Sequence, residues 1–258
     1  MRHAWTLGAT LALVAAPCLA QAVDVPAGAP ASADKAAMDE QKAMGGMGIH
    51  ANRVYTYNLL QADYARDGRH DATNWDGQGW VGGDRGKFWY KTQGETRDNH
   101  VERGEFQALY SRNLWTFFDA QGGIRYDISP DRRGYAVIGI QGLAPYLFST
   151  ELHAFIGFKG DVSVRAKGSF DLLMTNRFIV TPSIETDVYL NDARERRVGS
   201  GVSRIETGVQ ARYELSRKFA PYVAAIYEDR FGRTARFYRE AGDSPGGWQG
   251  RVGVRLWF

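Results

Sequence analysis

The feature that most constrains this chain is a strict alternation of apolar residues with polar or small ones, which is clearest at its end. In the closing segment the apolar set is Val252, Val254, Leu256 and Phe258, and the intervening set is Arg251, Gly253, Arg255 and Trp257. Residues two apart share a face of a strand, so one face of this strand is apolar and ends on an aromatic residue. This pattern is typical of the strand that closes a bacterial outer-membrane β-barrel, with its apolar face toward lipid.

The same period divides the chain from residue 53 onward into about twelve strands separated by turn signals. The predicted strands are Val54 to Arg66, Asp71 to Val81, Gly86 to Thr96, Val101 to Arg112, Trp115 to Ile128, Gly134 to Gly142, Tyr146 to Gly157, Asp161 to Leu173, Arg177 to Leu190, Ser203 to Leu215, Phe219 to Phe231 and Gly247 to Phe258. We therefore expect an all-β, antiparallel, up-and-down transmembrane barrel. Asp71 to Val81 is the least regular strand because Trp75 to Gly79 resembles a turn, and ten strands are the alternative.

The connections between these strands differ in length. Those around Gly83, Asn113, Ala144, Thr175 and Arg217 are tight and are assigned to the periplasm, whereas 191–202 and 232–246 are long and external. The long loops carry Arg194, Arg196, Arg197, Arg233, Arg236 and Arg239. These arginines suit contact with lipopolysaccharide phosphates, and the solubility of exposed loops explains them equally well.

The alternation also predicts what fills the barrel. In the eighth strand Asp161, Ser163, Arg165, Lys167, Ser169 and Asp171 share one face, and an Arg or Lys facing mid-membrane lipid costs about 2–4 kcal/mol, so this face points inward. The same parity adds Arg103, Glu105, Gln107, Asp119, Gln121, Arg125, Asp127, Glu151, His153, Glu185, Asp187, Arg204, Glu206, Gln210, Arg212, Glu214, Glu228 and Arg230. With both signs mixed, we expect ion pairs and hydrogen bonds to close or nearly close the lumen.

The composition agrees with a barrel. The chain has 13 Tyr, 13 Phe and 7 Trp, which suits aromatic girdles at the two membrane interfaces; a soluble β-sandwich is the alternative. The net charge of +3 is spread along the chain, and it gives no indication of nucleic-acid binding.

The N-terminal segment is of another kind. Arg2 and His3 precede an apolar run from Ala4 to Ala16, and Ala20 to Ala22 forms a small-residue cleavage site, so residues 1–22 are predicted to be a signal peptide. The lone Cys18 lies inside it, which leaves the mature protein without a thiol. Residues 23–52 are rich in Ala, Gly, Pro and charged residues and are predicted to form a flexible periplasmic arm ahead of a barrel spanning 53–258.

Candidate metal ligands lie in two places. The arm carries Met38, Met44, Met47 and His50. Thioethers favour Cu(I), an imidazole also accepts Cu(II), and incidental methionines in a linker are the alternative. The second place is the pair Glu151 and His153, where the alternative is a lumen histidine paired with a neighbouring carboxylate.

Catalysis is the third possibility for His153. Ser149, Glu151 and His153 are successive inward residues of one strand, spaced ~7 Å apart, so Ser149 and His153 stand ~14 Å apart and too far for a direct hydrogen bond. A hydrolase would need a second catalytic group from another strand. We therefore predict that the protein is not an enzyme.

Several blocks of sequence, taken in their order along the chain, resemble those of a known family. They are Trp80-Val81-Gly82-Gly83-Asp84, Glu105 to Arg112, Gly139 to Tyr146, Arg212 to Tyr222 and Gly253 to Phe258. They are similar to the outer-membrane copper resistance protein B family from about Val54 to the C-terminus. The resemblance implies an outer-membrane barrel in copper tolerance, with copper bound by a Met- and His-rich segment ahead of the barrel and with a multicopper oxidase as a periplasmic partner. This chain lacks the repeated Met-Asp-His motifs of many members, so a single Cu(I) site on Met44, Met47 and His50 is expected in place of high-capacity storage.

Together these observations predict a barrel in the outer-membrane lipid that binds copper, Cu(I) in preference to Cu(II), and limits its toxicity in the periplasm. Sequestration, transport through the barrel, and hand-off to a periplasmic copper-binding protein remain open. The alternative from another class is a structural or small-solute barrel without a copper role.

Overall fold

The computed structural model describes residues 54–67, 70–83, 85–97, 100–144 and 148–258. The predicted signal peptide (1–22) and the whole of the predicted arm (23–52), with its metal ligands, therefore lie outside the described residues. Within the described ranges, the chain forms thirteen antiparallel strands in one sheet.

The strands follow one another in chain order around the sheet. They are β1 (Tyr55–Asp67), β2 (His70–Gly82), β3 (Gly86–Arg97), β4 (His100–Trp115), β5 (Phe118–Ser129), β6 (Arg133–Ala144), β7 (Phe148–Gly157), β8 (Val162–Ser169), β9 (Leu172–Leu173), β10 (Phe178–Tyr189), β11 (Gly201–Tyr213), β12 (Phe219–Arg230) and β13 (Gly246–Trp257). β1 pairs with β13, with Leu59 opposite Trp257, so the sheet closes on itself. The result is the predicted twelve-stranded antiparallel barrel with one extra short strand.

The extra strand comes from a break in the predicted eighth strand. β8 pairs with β10 up to Ser169 opposite Ser183, and the two-residue β9 resumes that pairing with Leu172 opposite Val180. Pro182 lies between these pairings and has no backbone N–H to donate, so the ladder loses a bond there. β8 and β9 thus occupy a single strand position in the barrel, beside β10.

The second predicted strand, which was the least regular, is confirmed. β2 is continuous through Trp75 to Gly79, the stretch that resembles a turn, and the ten-stranded alternative is wrong. Gly79 stands opposite Tyr90 on β3 and Asn58 on β1, and the Tyr90 hydroxyl donates a hydrogen bond to the Asn58 side chain across it. A Cβ at Gly79 would collide with the Tyr90 ring, so the glycine makes room for this cross-strand contact.

The predicted alternation of faces is confirmed. In β13, Val252 and Leu256 are exposed on the outer face, whereas Arg251 and Arg255 are half-buried on the inner face. The inward residues predicted from the parity rule are buried or half-buried except Ser149 and Asp171, which are exposed.

The long connections lie at the end of the barrel away from Phe258, which the barrel rule assigns to the cell exterior. The loop 190–200 contains a short 3-10 helix, Arg194–Arg196, and the loop after β12 contains one α-helix, α1 (Gly232–Glu240), which the sequence reasoning did not predict. None of the helices in the described ranges is long and apolar enough to cross a membrane.

Candidate functional site

The lumen holds a continuous network of buried charges. Its most buried members are Glu105 and Asp127, which are 2% and 1% exposed, and Arg125 and Arg165. Arg125 bridges Glu105 at 2.7 Å and Asp127 at 2.6 Å. Each carboxylate is thus held by at least one guanidinium, as buried charges require.

Several of these contacts cross the barrel between distant strands. Arg165 on β8 lies 3.0 Å from Glu105 on β4, and Lys91 on β3 lies 2.7 Å from Glu151 on β7. Lys167 on β8 donates to Gln93 on β3 at 3.1 Å. Since the partners stand on well-separated strands, these contacts span the lumen. They form the inward-facing plug of ion pairs and hydrogen bonds that the mixed charges predict.

A further set of ion pairs joins neighbouring strands beside this plug. Arg165 also contacts Asp187 at 2.8 Å, and Arg204 contacts Asp187 at 3.0 Å and Glu185 more closely still. Arg165 therefore holds carboxylates on both sides of the lumen, Glu105 on one wall and Asp187 on the other. Arg165 thus belongs both to the contacts that cross the lumen and to the ion pairs between neighbouring strands.

The predicted pair Glu151 and His153 lies inside this network. His153 is fully buried, with its Nδ1 atom 2.8 Å from Glu151 Oε1 and its Nε2 atom 2.8 Å from Gln121 Oε1. Glu151 in turn contacts Lys91, which also donates to Gln141 at 2.9 Å. The pairing of His153 with a neighbouring carboxylate is therefore present, and both ring nitrogens face side-chain oxygens.

An apolar cluster, which the sequence reasoning did not predict, fills another part of the lumen. Leu109, Tyr135, Val137 and Phe155 pack together on β4, β6 and β7, with Trp89 against them. The Arg125 guanidinium lies 4.7 Å from the centre of the Phe155 ring and so joins this cluster to the charges. The available signal was the run of apolar residues at inward positions on these strands, where the parity rule alone expects polar ones.

The remaining space inside the barrel is polar. One cavity of about 240 Å³ is lined by Asp76, Lys91, Gln107, Glu151 and Glu206, among others. A smaller one of about 110 Å³ shares Asp76 and Glu206 with it and also meets Arg103. Within the described ranges no other side chain forms a hydrogen bond or an ion pair with Asp76. The same ranges contain no group of three or more His, Cys, Asp or Glu side chains that could hold a metal ion.

The external mouth is crossed by the loop between β10 and β11. Arg196 reaches from this loop to Asp127 on β5 at 2.8 Å and also donates to the Tyr135 hydroxyl on β6. Tyr135 donates onward to Asp161 at 2.9 Å. Because β7 to β9 lie between these partners and β10, the loop spans a large part of the opening. These contacts were not predicted, since Arg196 and Asp127 are 69 residues apart.

The helix α1 braces this loop. Thr234 accepts a hydrogen bond from the Gly199 amide at 2.9 Å and lies 2.9 Å from the Ser203 hydroxyl. Outside the barrel mouth, Asp192 accepts from the Ser200 amide at 2.7 Å and pairs with Arg233 of α1. The Ser200 amide and the Arg233 charge hold the pKa of Asp192 below its ordinary value. The loop 190–200 and α1 together form what we term the external cap.

Comparison with known proteins gives consistent findings. The family described as "Copper resistance protein B precursor (CopB)" matches residues 54–258. "Copper resistance protein B" of Escherichia coli is 32% identical over 225 residues, which cover 85% of this chain and 76% of that protein. "Copper resistance protein B homolog" of Pseudomonas syringae pv. tomato is 34% identical over 214 residues, 81% of this chain and 72% of that protein.

Among solved structures, the NanC porin aligns with a TM-score of 0.54 at 15% identity, over 77% of this chain and 98% of the porin. At this identity the likeness shows the shared barrel fold alone.

Proposed function

Since the chain belongs to the copper resistance protein B family, we propose that it is an outer-membrane barrel that binds copper and limits its toxicity in the periplasm. The coarse part of this statement, a role in copper resistance, rests on the family. The finer part concerns where copper binds and whether it passes through the barrel.

The observation that carries the finer part is the set of contacts across the lumen. Arg165 to Glu105 and Lys91 to Glu151 join separate walls, and the loop that carries Arg196 spans a large part of the external mouth. A lumen crossed by these contacts opposes free diffusion of ions. This supports sequestration or hand-off on the periplasmic side over open conduction.

The ligands we propose for this role are Met38, Met44, Met47 and His50 on the segment ahead of the barrel. Thioethers and an imidazole favour Cu(I), with Cu(II) as the second ion. From this segment, copper would remain bound or pass to a periplasmic copper-binding protein, with a multicopper oxidase as the candidate partner. Glu151 and His153 are the alternative site inside the barrel.

The test is a titration with Cu(I), and separately with Cu(II), read by competition with a chromogenic chelator. The full-length refolded protein is compared with a quadruple variant, M38L/M44L/M47L/H50Q, which keeps the length of the arm. A matched control, K35Q/K42Q, changes the same segment without touching a proposed ligand. We expect the quadruple variant to lose copper binding and the control to retain it.

The barrel site is tested by the variant E151Q/H153Q. Retained binding in the quadruple variant together with loss in E151Q/H153Q would move the site into the lumen and refute the arm proposal. Absence of binding in the unaltered protein would refute copper binding altogether.

A second candidate function is a small-solute barrel without a copper role. The observation that favours it is the polar cavity of about 240 Å³, whose lining offers both donors, such as Lys91, and acceptors, such as Glu206. Flux of small sugars and amino acids into liposomes containing the protein measures this role directly. Solute flux without copper binding would support this candidate over the first.

We further propose that the barrel has no catalytic role. Both ring nitrogens of His153 face the side-chain oxygens of Glu151 and Gln121, which supports a structural role for this histidine.

A further inference from the structure

The outer face of α1 is held in a fixed direction. Thr234 and Ala235 are buried against the barrel end, and the Thr234 hydroxyl is bonded to Gly199 and Ser203. In a helix each residue turns the side chain by about 100°, so Arg233 and Arg236 lie on the side opposite these anchors. Arg239 lies at the flank, and all three arginines are exposed. The helix therefore presents a row of guanidinium groups away from the barrel.

Several arginines of the external cap lack an anionic partner among the described residues. Arg233 and Arg197 are paired, with Asp192 and with Asp243. No carboxylate of the described residues lies within ion-pair distance of Arg194, Arg236 or Arg239, although Glu240 is exposed on the same helix. Arg194 instead lies 5.7 Å from the centre of the Phe237 ring, which places it against α1. We call these three residues the external arginine triad.

The local electrostatics of α1 are unfavourable without an anion. Arg233, Arg236 and Arg239 recur at spacings of three, where like charges on a helix destabilise it. The first turn contains no acidic residue, although negative charge is favoured there. Asp192 already offsets the charge of Arg233 in that turn, and an anion bound near Arg236 and Arg239 would offset the remaining repulsion.

The position of α1 relative to the membrane identifies that anion. The Tyr227 and Trp248 rings lie 5.1 Å apart on the lipid-facing side, and Trp248 is 72% exposed, as expected of the aromatic belt at the interface. α1 begins five residues beyond Tyr227, which corresponds to ~16 Å along the strand and ~12 Å along the membrane normal for a strand tilt of ~40°. The helix therefore begins just beyond the layer of lipid headgroups, which is ~5–8 Å deep in each leaflet.

We propose that the external arginine triad binds the phosphate groups of lipopolysaccharide, the glycolipid of the outer leaflet. Guanidinium groups bind phosphate oxygens in bidentate, charge-assisted geometry, and the external cap offers three of them to a ligand that carries several phosphates. This contact secures α1, and through Thr234 and Gly199 it also secures the loop that crosses the mouth. The inference is independent of copper binding.

The test measures binding of purified, folded protein in detergent to lipopolysaccharide, with diphosphorylated lipid A and enzymatically dephosphorylated lipid A as two further arms. The variant R194Q/R236Q/R239Q is compared with R85Q/R177Q/R217Q, which removes three exposed arginines from the opposite rim and so matches the change in charge. If each exposed contact contributes modestly, the triad variant should bind phosphorylated lipid about tenfold more weakly. The opposite-rim variant should bind as the unaltered protein does, and dephosphorylated lipid should bind weakly to all three.

Folding is checked by the heat-dependent shift in gel mobility that folded barrels show. The charge-retaining variant R194K/R236K/R239K separates loss of charge from disruption of the helix, and it should bind more tightly than R194Q/R236Q/R239Q but more weakly than the unaltered protein, because Lys keeps the charge and loses the bidentate geometry. Equal binding by the triad and opposite-rim variants would overturn the proposal. Equal binding of phosphorylated and dephosphorylated lipid would also overturn it, since acyl chains would then carry the affinity.

Discussion

Replacing Arg196 with Gln should loosen the external cap. Arg196 is the residue of loop 190–200 that enters the lumen, where it bonds Asp127 at 2.8 Å and the Tyr135 hydroxyl. Its partners keep other bonds after the change, because Arg125 still holds Asp127 and Asp161 still accepts from Tyr135. The substitution therefore removes the attachment of the loop to Asp127 and Tyr135 without leaving an unpaired buried charge.

The size of the effect follows from these two bonds. A hydrogen bond to a charged group contributes about 1.5–3 kcal/mol. Because Asp127 and Tyr135 keep their other partners, we expect the loss of both bonds to weaken the attachment of the cap by about as much as one such bond, about 2–3 kcal/mol. With every 1.4 kcal/mol equal to a factor of ten, the equilibrium constant for opening of the cap should rise by about 30- to 150-fold.

The assay is single-channel recording in planar bilayers. For the unaltered protein we expect rare, brief openings, and for R196Q a rise in open probability within the range above. The matched control is R197Q, because Arg197 belongs to the same loop but pairs with Asp243 outside the lumen, with its side chain 53% exposed. If R196Q and R197Q open equally often, the attachment through Asp127 and Tyr135 does not hold the cap.

Three further predictions concern stability and pH. R165M should destabilise the barrel by about 3–5 kcal/mol, seen as a lower urea midpoint, because it leaves Glu105 and Asp187 with fewer partners in the interior. G94A should lower the free energy of unfolding by about 1–3 kcal/mol, because its Cβ would overlap the Trp75 ring and approach the Arg103 carbonyl oxygen to 2.7 Å. The control G250A, whose Cβ would meet no atom within 4 Å, should unfold at the same urea midpoint as the unaltered protein. Since the pKa of Asp192 is held below the ordinary 3.8, its bond to the Ser200 amide should stabilise the cap above that pH and be lost as pH falls through the lowered pKa; hydrogen exchange of Ser200 should show this, and D192N should abolish the pH dependence.

The barrel itself was predictable because the alternation of apolar and polar residues is a local property of each strand. Each strand shows it in its own residues, and the lipid penalty for charge decides which face points inward. The first and last predicted strands match β1 and β13 within one residue at either end. β2 was the least regular prediction because its glycines signal a turn when read alone. Only the neighbouring Tyr90, Thr92 and Leu60 side chains show that those glycines accommodate contacts within a sheet.

The arrangement inside the lumen was less predictable because it depends on which strands meet across the barrel. Parity places Glu105 and Arg165 in the lumen, yet nothing local indicates that they pair across 60 residues. The apolar cluster around Phe155 and the entry of Arg196 are of the same kind. For Glu151 and His153 the neighbouring positions on β7 were sufficient to predict their contact, whereas Gln121 on β5 was not indicated.

The apolar cluster and the cavities divide the lumen unequally. None of the described residues that line the 110 Å³ cavity lies on β5, β6 or β7, the strands that carry Tyr135, Val137 and Phe155. The smaller cavity therefore lies against the opposite wall, where Asp76 lines both cavities. Substitutions among the packed residues should change stability more than passage.

Asp76→Asn tests this division. Among the described residues Asp76 has no hydrogen-bond or ion-pair partner, so D76N should alter the urea midpoint little. In the R196Q background, where openings are frequent, D76N should lower the preference of the channel for cations over anions. The interaction of one unit charge with an ion ~5 Å away in water is ~0.8 kcal/mol, which corresponds to about fourfold in relative permeability. The control is D71N, which removes the same charge from the exposed outer face of β2, where Asp71 accepts from Tyr64. An unchanged ion preference in D76N would mean that ions do not pass along this wall.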